Sequence, residues 1–118
     1  MDQEEIDDEI RLRLLRVLAR RENVFFKERV PAFVSLKMWT DFGVIQAIIK
    51  HINGGFKVFK KRDQFSRTLP SVYECSVKIP DDSDDVFYVE MKERVNGDVC
   101  VGLRVDVHSH YGPKRLER

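Results

Sequence analysis

The chain has 118 residues, 42% hydrophobic and 35% charged, which fits one domain spanning residues 1–118 around one core. The apolar share exceeds that of a disordered chain, and no uncharged apolar run approaches the roughly 18 residues of a membrane span, so a soluble fold with no membrane partner is expected. The opening MDQEEIDDEI lacks the basic start of a signal peptide, and Cys75 and Cys100 lack the CxxC spacing of a zinc site, so the expectation is a cytoplasmic protein with reduced thiols.

The net charge of +1 conceals a separation. The opening ten residues hold 6 of the 20 acids and Asp81, Asp82, Asp84 and Asp85 hold 4 more, leaving 10 acids against 21 Lys and Arg elsewhere. A basic body of this kind favours polyanions through phosphate contacts and counterion release, although it is also an ordinary solubilising device.

In chain order, Ile6, Ile10, Leu14, Val17 and Leu18 recur at helical spacing and predict a helix of about five turns within residues 1–21. Its acids at the start and Arg20 and Arg21 at the end complement the helix dipole. Residues 23–28 break the pattern, and Pro31 suits the first turn of a short helix through Ala32, Phe33 and Leu36. Thr40 or Asp41 can cap a further helix with Val44, Ile45, Ile48, Ile49 and Ile52 as its apolar face, ended by Gly54 and Gly55. His51, in its last turn, reads as a partner of the C-terminal dipole.

The periodicity then changes to alternation. A sheet over about 56–108 is predicted: a short strand at 56–60, a polar loop at 61–70, and strands at 71–79, 86–92 and 98–108, followed by a basic tail at 109–118. The class is α+β, with the N-terminal helices on one face of a twisted antiparallel sheet. In the last strand Val99, Val101, Leu103, Val105 and Val107 form the expected core face. A three-residue Val95-Asn96-Gly97 loop keeps the faces consistent, pairing Val89 with Leu103 and setting Tyr88 opposite Arg104. The preceding strand, with Tyr73, Cys75, Val77 and Ile79 inward, pairs Cys75 with Val89 and Ser76 with Tyr88.

The open face thereby gathers Lys78, Tyr88, Lys92, Arg104 and His108, and the segment before it adds Lys57, Lys60, Lys61, Arg62 and Arg67. Basic groups around a tyrosine and a histidine can hold an RNA backbone, stabilise a phosphorane and move the 2′-hydroxyl proton. No metal or cofactor is required, because RNA supplies its own nucleophile. Glu74, Glu90 and Asp106 on the same face fit a solvated mixed-charge surface equally well. His108 and His110 alternate onto one strand face without a carboxylate or cysteine set at ligand spacing, which disfavours a metalloenzyme.

The order of elements resembles the motility quorum-sensing regulator (MqsR) family of bacterial ribonuclease toxins, within the wider RelE-like fold. NVFFKERVPAFVSLK and TDFGVIQAII, then FKVFK, SVYEC, VFYVEMK and VGLRVDVH carry the likeness, which covers about residues 10–108. The family's strand tyrosine matches Tyr88, and its final basic residue matches His108 or, in a shifted register, Arg104. Its lysine has no clean match, since Val58 holds the aligned place with Lys57 one position early and Lys60 two later, and its glutamine falls near Pro70. The resemblance implies a metal-independent, RNA-cleaving messenger RNA interferase toxin of a type II toxin–antitoxin pair, with RNA and a cognate antitoxin as partners and no small-molecule cofactor. The alternative is a non-catalytic RNA- or protein-binding domain of similar fold.

Overall fold

The computed structural model describes residues 3–27, 40–61, 71–78, 86–97 and 99–108. The expected short helix after Pro31, most of the polar loop with Arg62 and Arg67, the acidic loop and the basic tail lie outside them. Among the described residues the chain is α+β, with two α-helices and a six-stranded, mostly antiparallel sheet.

The first helix starts later than its apolar spacing suggests. Asp7 caps it, accepting a 2.9 Å hydrogen bond from the Ile10 amide, and Asp8 and Glu9 occupy the positive first turn. Helix α1 therefore spans Asp8–Leu18, about three turns. The residues ahead of the cap form instead an edge strand, β1 (Gln3–Glu5), antiparallel to the basic strand β3 (Phe59–Lys61), with Glu4 opposite Lys60. Opposite charges across a strand pair favour this register.

After a 3₁₀ turn at Arg21–Asn23, Val24–Phe26 form strand β2, where helix-breaking residues were expected. Val24 is buried and β2 runs parallel to the last strand, so long-range pairing decides its conformation. Helix α2 (Asp41–Asn53) matches its prediction: Thr40 Oγ1 accepts from the Gly43 amide at 2.9 Å, and Val44, Ile45, Ile48 and Ile52 are buried. His51 does more than meet the helix dipole. It is buried, its ring stacks on Phe56 at 5.3 Å, and its Nε2 donates to the Lys57 carbonyl at 2.9 Å, tying the helix end to the segment that follows.

Strands β4 (Val72–Lys78), β5 (Val86–Asn96) and β6 (Val99–His108) complete the sheet, in the order β1-β3-β4-β5-β6-β2. Cys75 pairs with Val89 and Ser76 with Tyr88 as expected. The β5–β6 register differs from the expectation. Asn96 pairs with Val99 around Gly97 (φ 64°), and a bulge leaves Val101 as the extra residue between Cys100, opposite Val95, and Gly102, opposite Arg94. The tight turn alone would have mixed the faces; the bulge restores the alternation, so Val89 pairs with Val107 and Tyr88 with His108. Beyond the bulge the faces are reversed: Val99 and Val101 are exposed, and Cys100 turns toward the core.

Both helices pack on the face bearing Tyr73, Cys75, Phe87, Val89, Met91, Leu103 and Val105. Leu14, Leu18, Ile48 and Ile52 are essentially inaccessible there, each side chain contributing about 1.5–3 kcal/mol on burial. No helix among the described residues is long and apolar enough to cross a membrane.

Candidate functional site

The other sheet face is organised in rows, because paired residues on neighbouring strands point the same way. One row runs Lys61, Val72, Lys92, Arg104 and Phe25. The next runs Phe59, Glu74, Glu90 and Asp106, and the third Ser76, Tyr88 and His108. A cationic row thus lies beside an acidic row, with an aromatic row beyond. The alternation SVYEC, VFYVEMK and LRVDVH produces this pattern once the register is set.

Burial divides the rows. Lys61, Lys92 and Arg104 are exposed, whereas Glu74, Ser76, Tyr88 and Asp106 are buried, so the expectation of an open face is corrected at its centre. Buried carboxylates need partners, and they have them. The Tyr88 hydroxyl lies 2.5 Å from Glu74 Oε2 and 3.0 Å from Glu90 Oε2, one phenol proton serving both. Lys61 Nζ sits 3.2 Å from Glu90, Lys27 Nζ 3.5 Å from Asp106, and His108 Nε2 2.9 Å from the same Asp106 oxygen. The Tyr88 and His108 rings are 5.5 Å apart.

This environment sets the chemistry of Tyr88. Burial, then the hydrogen bond to Glu74, then the charges of Glu90 and Glu74 push its phenol well above the ordinary value. Tyr88 therefore keeps its proton at neutral pH and acts as a hydrogen-bond donor, not as a base. Glu90 and His108, beside it, reach solvent, with side chains 26% and 29% exposed.

The structure brings Tyr88 and His108 together but separates Arg104 from them. Arg104 pairs with Lys92, four residues from His108 along β6, or roughly 13 Å at the rise of a strand. Lys78 is exposed one row beyond Tyr88, opposite Val86. Lys60 is opposite both Glu4 and the core residue Tyr73, which puts it on the helix-bearing face, away from Lys61. Lys57 is half-buried ahead of β3, and Val58 is fully buried, its carbonyl accepting from the Ile6 amide. Lys27 was missed by the sequence reading. The aromatic, β-branched run VFF just before it was the available signal for a strand that carries Lys27 to Asp106.

A second polar cluster lies on the helix side. Arg13 donates to the Tyr73 hydroxyl and to Glu93 Oε1, both at 2.9 Å, and Tyr73 donates to the same Glu93 oxygen at 2.7 Å. Burial and then Glu93 push the Tyr73 phenol up to about 12. Glu93 is almost inaccessible, so this triad reads as a satisfied buried charge that ties α1 to the sheet. Cys75, with no exposed surface, is pushed up to about 12 by burial and then by the charge of Glu74, which leaves it inert as a nucleophile. Among the described residues no three His, Cys, Asp or Glu side chains are grouped to hold a metal ion.

Comparison of the chain with family models, with curated proteins and with solved structures finds no match.

Proposed function

We propose that this chain is an RNA-cleaving toxin of a type II toxin–antitoxin pair, built on a RelE-like fold in the cytoplasm, that acts without metal or cofactor on single-stranded messenger RNA. The reading rests on the resemblance described above and on one observation: Tyr88 and His108 stand side by side on neighbouring strands, with His108 held by Asp106. A cognate antitoxin is the partner the resemblance implies.

Cleavage joins the 2′-oxygen to phosphorus and breaks the bond to the 5′-oxygen, leaving a cyclic phosphate and a 5′-hydroxyl. One group must take the 2′-hydroxyl proton and another must supply a proton to the departing oxygen. Glu90 takes the first, and protonated His108, oriented by Asp106, gives the second. Tyr88 fixes the Glu74 and Glu90 carboxylates through its hydroxyl, and Lys27 and Lys61 offset the phosphate charge at either flank. Arg104 binds the chain farther along, in place of the phosphorane-stabilising role its expected register would have allowed.

The test is cleavage of a mixed single-stranded RNA in chelator-containing buffer, alongside growth arrest on expression. His108→Ala and Glu90→Gln should each lower the rate by about 10²- to 10⁴-fold while melting near the wild-type temperature. Full activity in both variants would displace the site. A folded wild type that neither cleaves nor arrests growth would sink the toxin reading in favour of a non-catalytic RNA- or protein-binding domain.

A further inference from the structure

Phe25 is a strand residue with 42% of its surface exposed, on the same sheet face as the site. The guanidinium of Arg94 lies over its ring at 4.2 Å from the centroid. Gly102, opposite Arg94 on β6, makes room for this arrangement: a side chain there would meet the Asn23 carbonyl oxygen at 2.8 Å and the Phe25 ring at 3.3 Å. A single exposed aromatic is common, and an arginine over it is a common companion. What distinguishes Phe25 is its place at the end of the row containing Lys61, Lys92 and Arg104, directly beside Arg104. Lys92 and Arg104 make no ion pair among the described residues, so their charge is available to a ligand.

We infer that Phe25 and Arg94 form a base-stacking subsite for single-stranded RNA, entered along the Lys61, Lys92 and Arg104 row. The row crosses four strand spacings of about 4.8 Å, roughly 19 Å, long enough for a backbone of several nucleotides to run over it. Unstacked bases settle on aromatic rings and guanidinium planes, and cations track their phosphates. A duplex offers no such base, so the subsite selects single strands. It rests on the RNA reading of the proposed function and deepens it. Because Phe25 is a strand away from Arg104 and Arg104 is roughly 13 Å from His108 along β6, the subsite holds a nucleotide remote from the scissile bond and acts on binding, not on the chemical step.

The test uses the intact protein and a labelled single-stranded 2′-deoxy oligonucleotide, which lacks the nucleophile and cannot be cleaved, with affinity read by fluorescence anisotropy. Phe25→Ala should weaken binding by about 5- to 150-fold, Phe25→Trp should retain it, and Arg94→Ala should weaken it in the same direction. An oligonucleotide made abasic throughout should bind the wild type as weakly as it binds Phe25→Ala. Equal affinity of wild type and Phe25→Ala, or no loss with the abasic strand, would overturn the subsite and leave a plain cationic row. Competition by an acidic polypeptide as strong as by the oligonucleotide would overturn it in favour of a protein-docking face. The cleavage assay keeps the two proposals apart: an inert wild type that still shows Phe25-dependent binding refutes the toxin and supports the subsite, whereas an active wild type whose KM and affinity ignore Phe25→Ala refutes the subsite alone.

Discussion

At the scale of single residues, several acidic protons are kept in place by burial. Tyr73 and Cys75 have ordinary values of 10.0 and 9.0, and each is pushed up to about 12 in the folded chain; Tyr88 moves in the same direction. Well below pH 9 the folded and unfolded states both hold these protons, and the stabilisation is fully present. Between about pH 9 and 12 the unfolded chain releases them while the folded chain retains them, so unfolding gains free energy and stability falls as the pH rises. A thermal melt followed against pH should be level up to about pH 9 and then decline, and Tyr73→Phe, which removes one of the titrating groups, should decline less steeply from pH 10 upward. A midpoint that stays level to pH 12 would show that these groups titrate alike in both states. Asp41 obeys the opposite sign. Its hydrogen bond from Arg21 and its contact with the Phe42 amide lower its value, so its small exposed contribution is present at neutral pH and lost in acid.

At the scale of elements, strand β2 shows how a three-residue segment with no periodicity of its own is held. It borrows its conformation from β6, and the close approach of the two backbones requires the absence of a side chain at Gly102. Gly102→Ala places a methyl 2.8 Å from the backbone oxygen of Asn23, where no flexible side chain can yield. The expected cost is about 1–3 kcal/mol in a denaturant titration, the usual range for overpacking, with faster exchange of the Lys27 amide, which donates to the Val105 carbonyl of β6. Unchanged stability together with unchanged exchange would mean that β2 docks without this contact. The β5–β6 bulge is the second device of this kind, since it lets a tight turn and a valine-rich core strand coexist.

At the scale of the whole molecule, charge is partitioned between the faces and the edges. The acidic start meets the basic strand β3 at the sheet edge, and in the acidic row Glu74 and Asp106 are buried and Glu90 is paired with Lys61, leaving Lys61, Lys92 and Arg104 as the exposed cations of the adjoining row, with Lys27, Lys78 and Arg94 exposed elsewhere on the same face. Affinity for single-stranded RNA should therefore fall steeply with salt, and each of Lys61→Ala, Lys92→Ala and Arg104→Ala should flatten the slope by about 0.7 per lost phosphate contact. Lys60→Ala, on the opposite face, should leave that slope as it was. A slope indifferent to all three row substitutions would remove this face as the phosphate-binding surface.

How much of this was legible in the chain depended on the range of the forces involved. Helix α2, with its Thr40 cap and Ile-rich stripe, the inward set Tyr73, Cys75 and Val77, and the β4–β5 register follow from local propensity and a period of two, which neighbouring residues determine among themselves. The partnership of Tyr88 with His108 did not, because the turn lies between Asn96 and Val99 instead of at 95–97, which moves the pairing by three positions, and the bulged residue in β6 adds a fourth. The candidates Tyr88 and His108 could be read from the residues, as could the presence of three carboxylates on their face; that Glu74 and Asp106 are buried and that the three are bonded to Tyr88, Lys27, Lys61 and His108 could not. Strand β2, its delivery of Lys27 and Phe25, and the diversion of residues 3–5 from helix into an edge strand were likewise decided by tertiary structure, since short segments lack the intrinsic stability to choose a conformation and take the one that pairs their backbone and balances their charge.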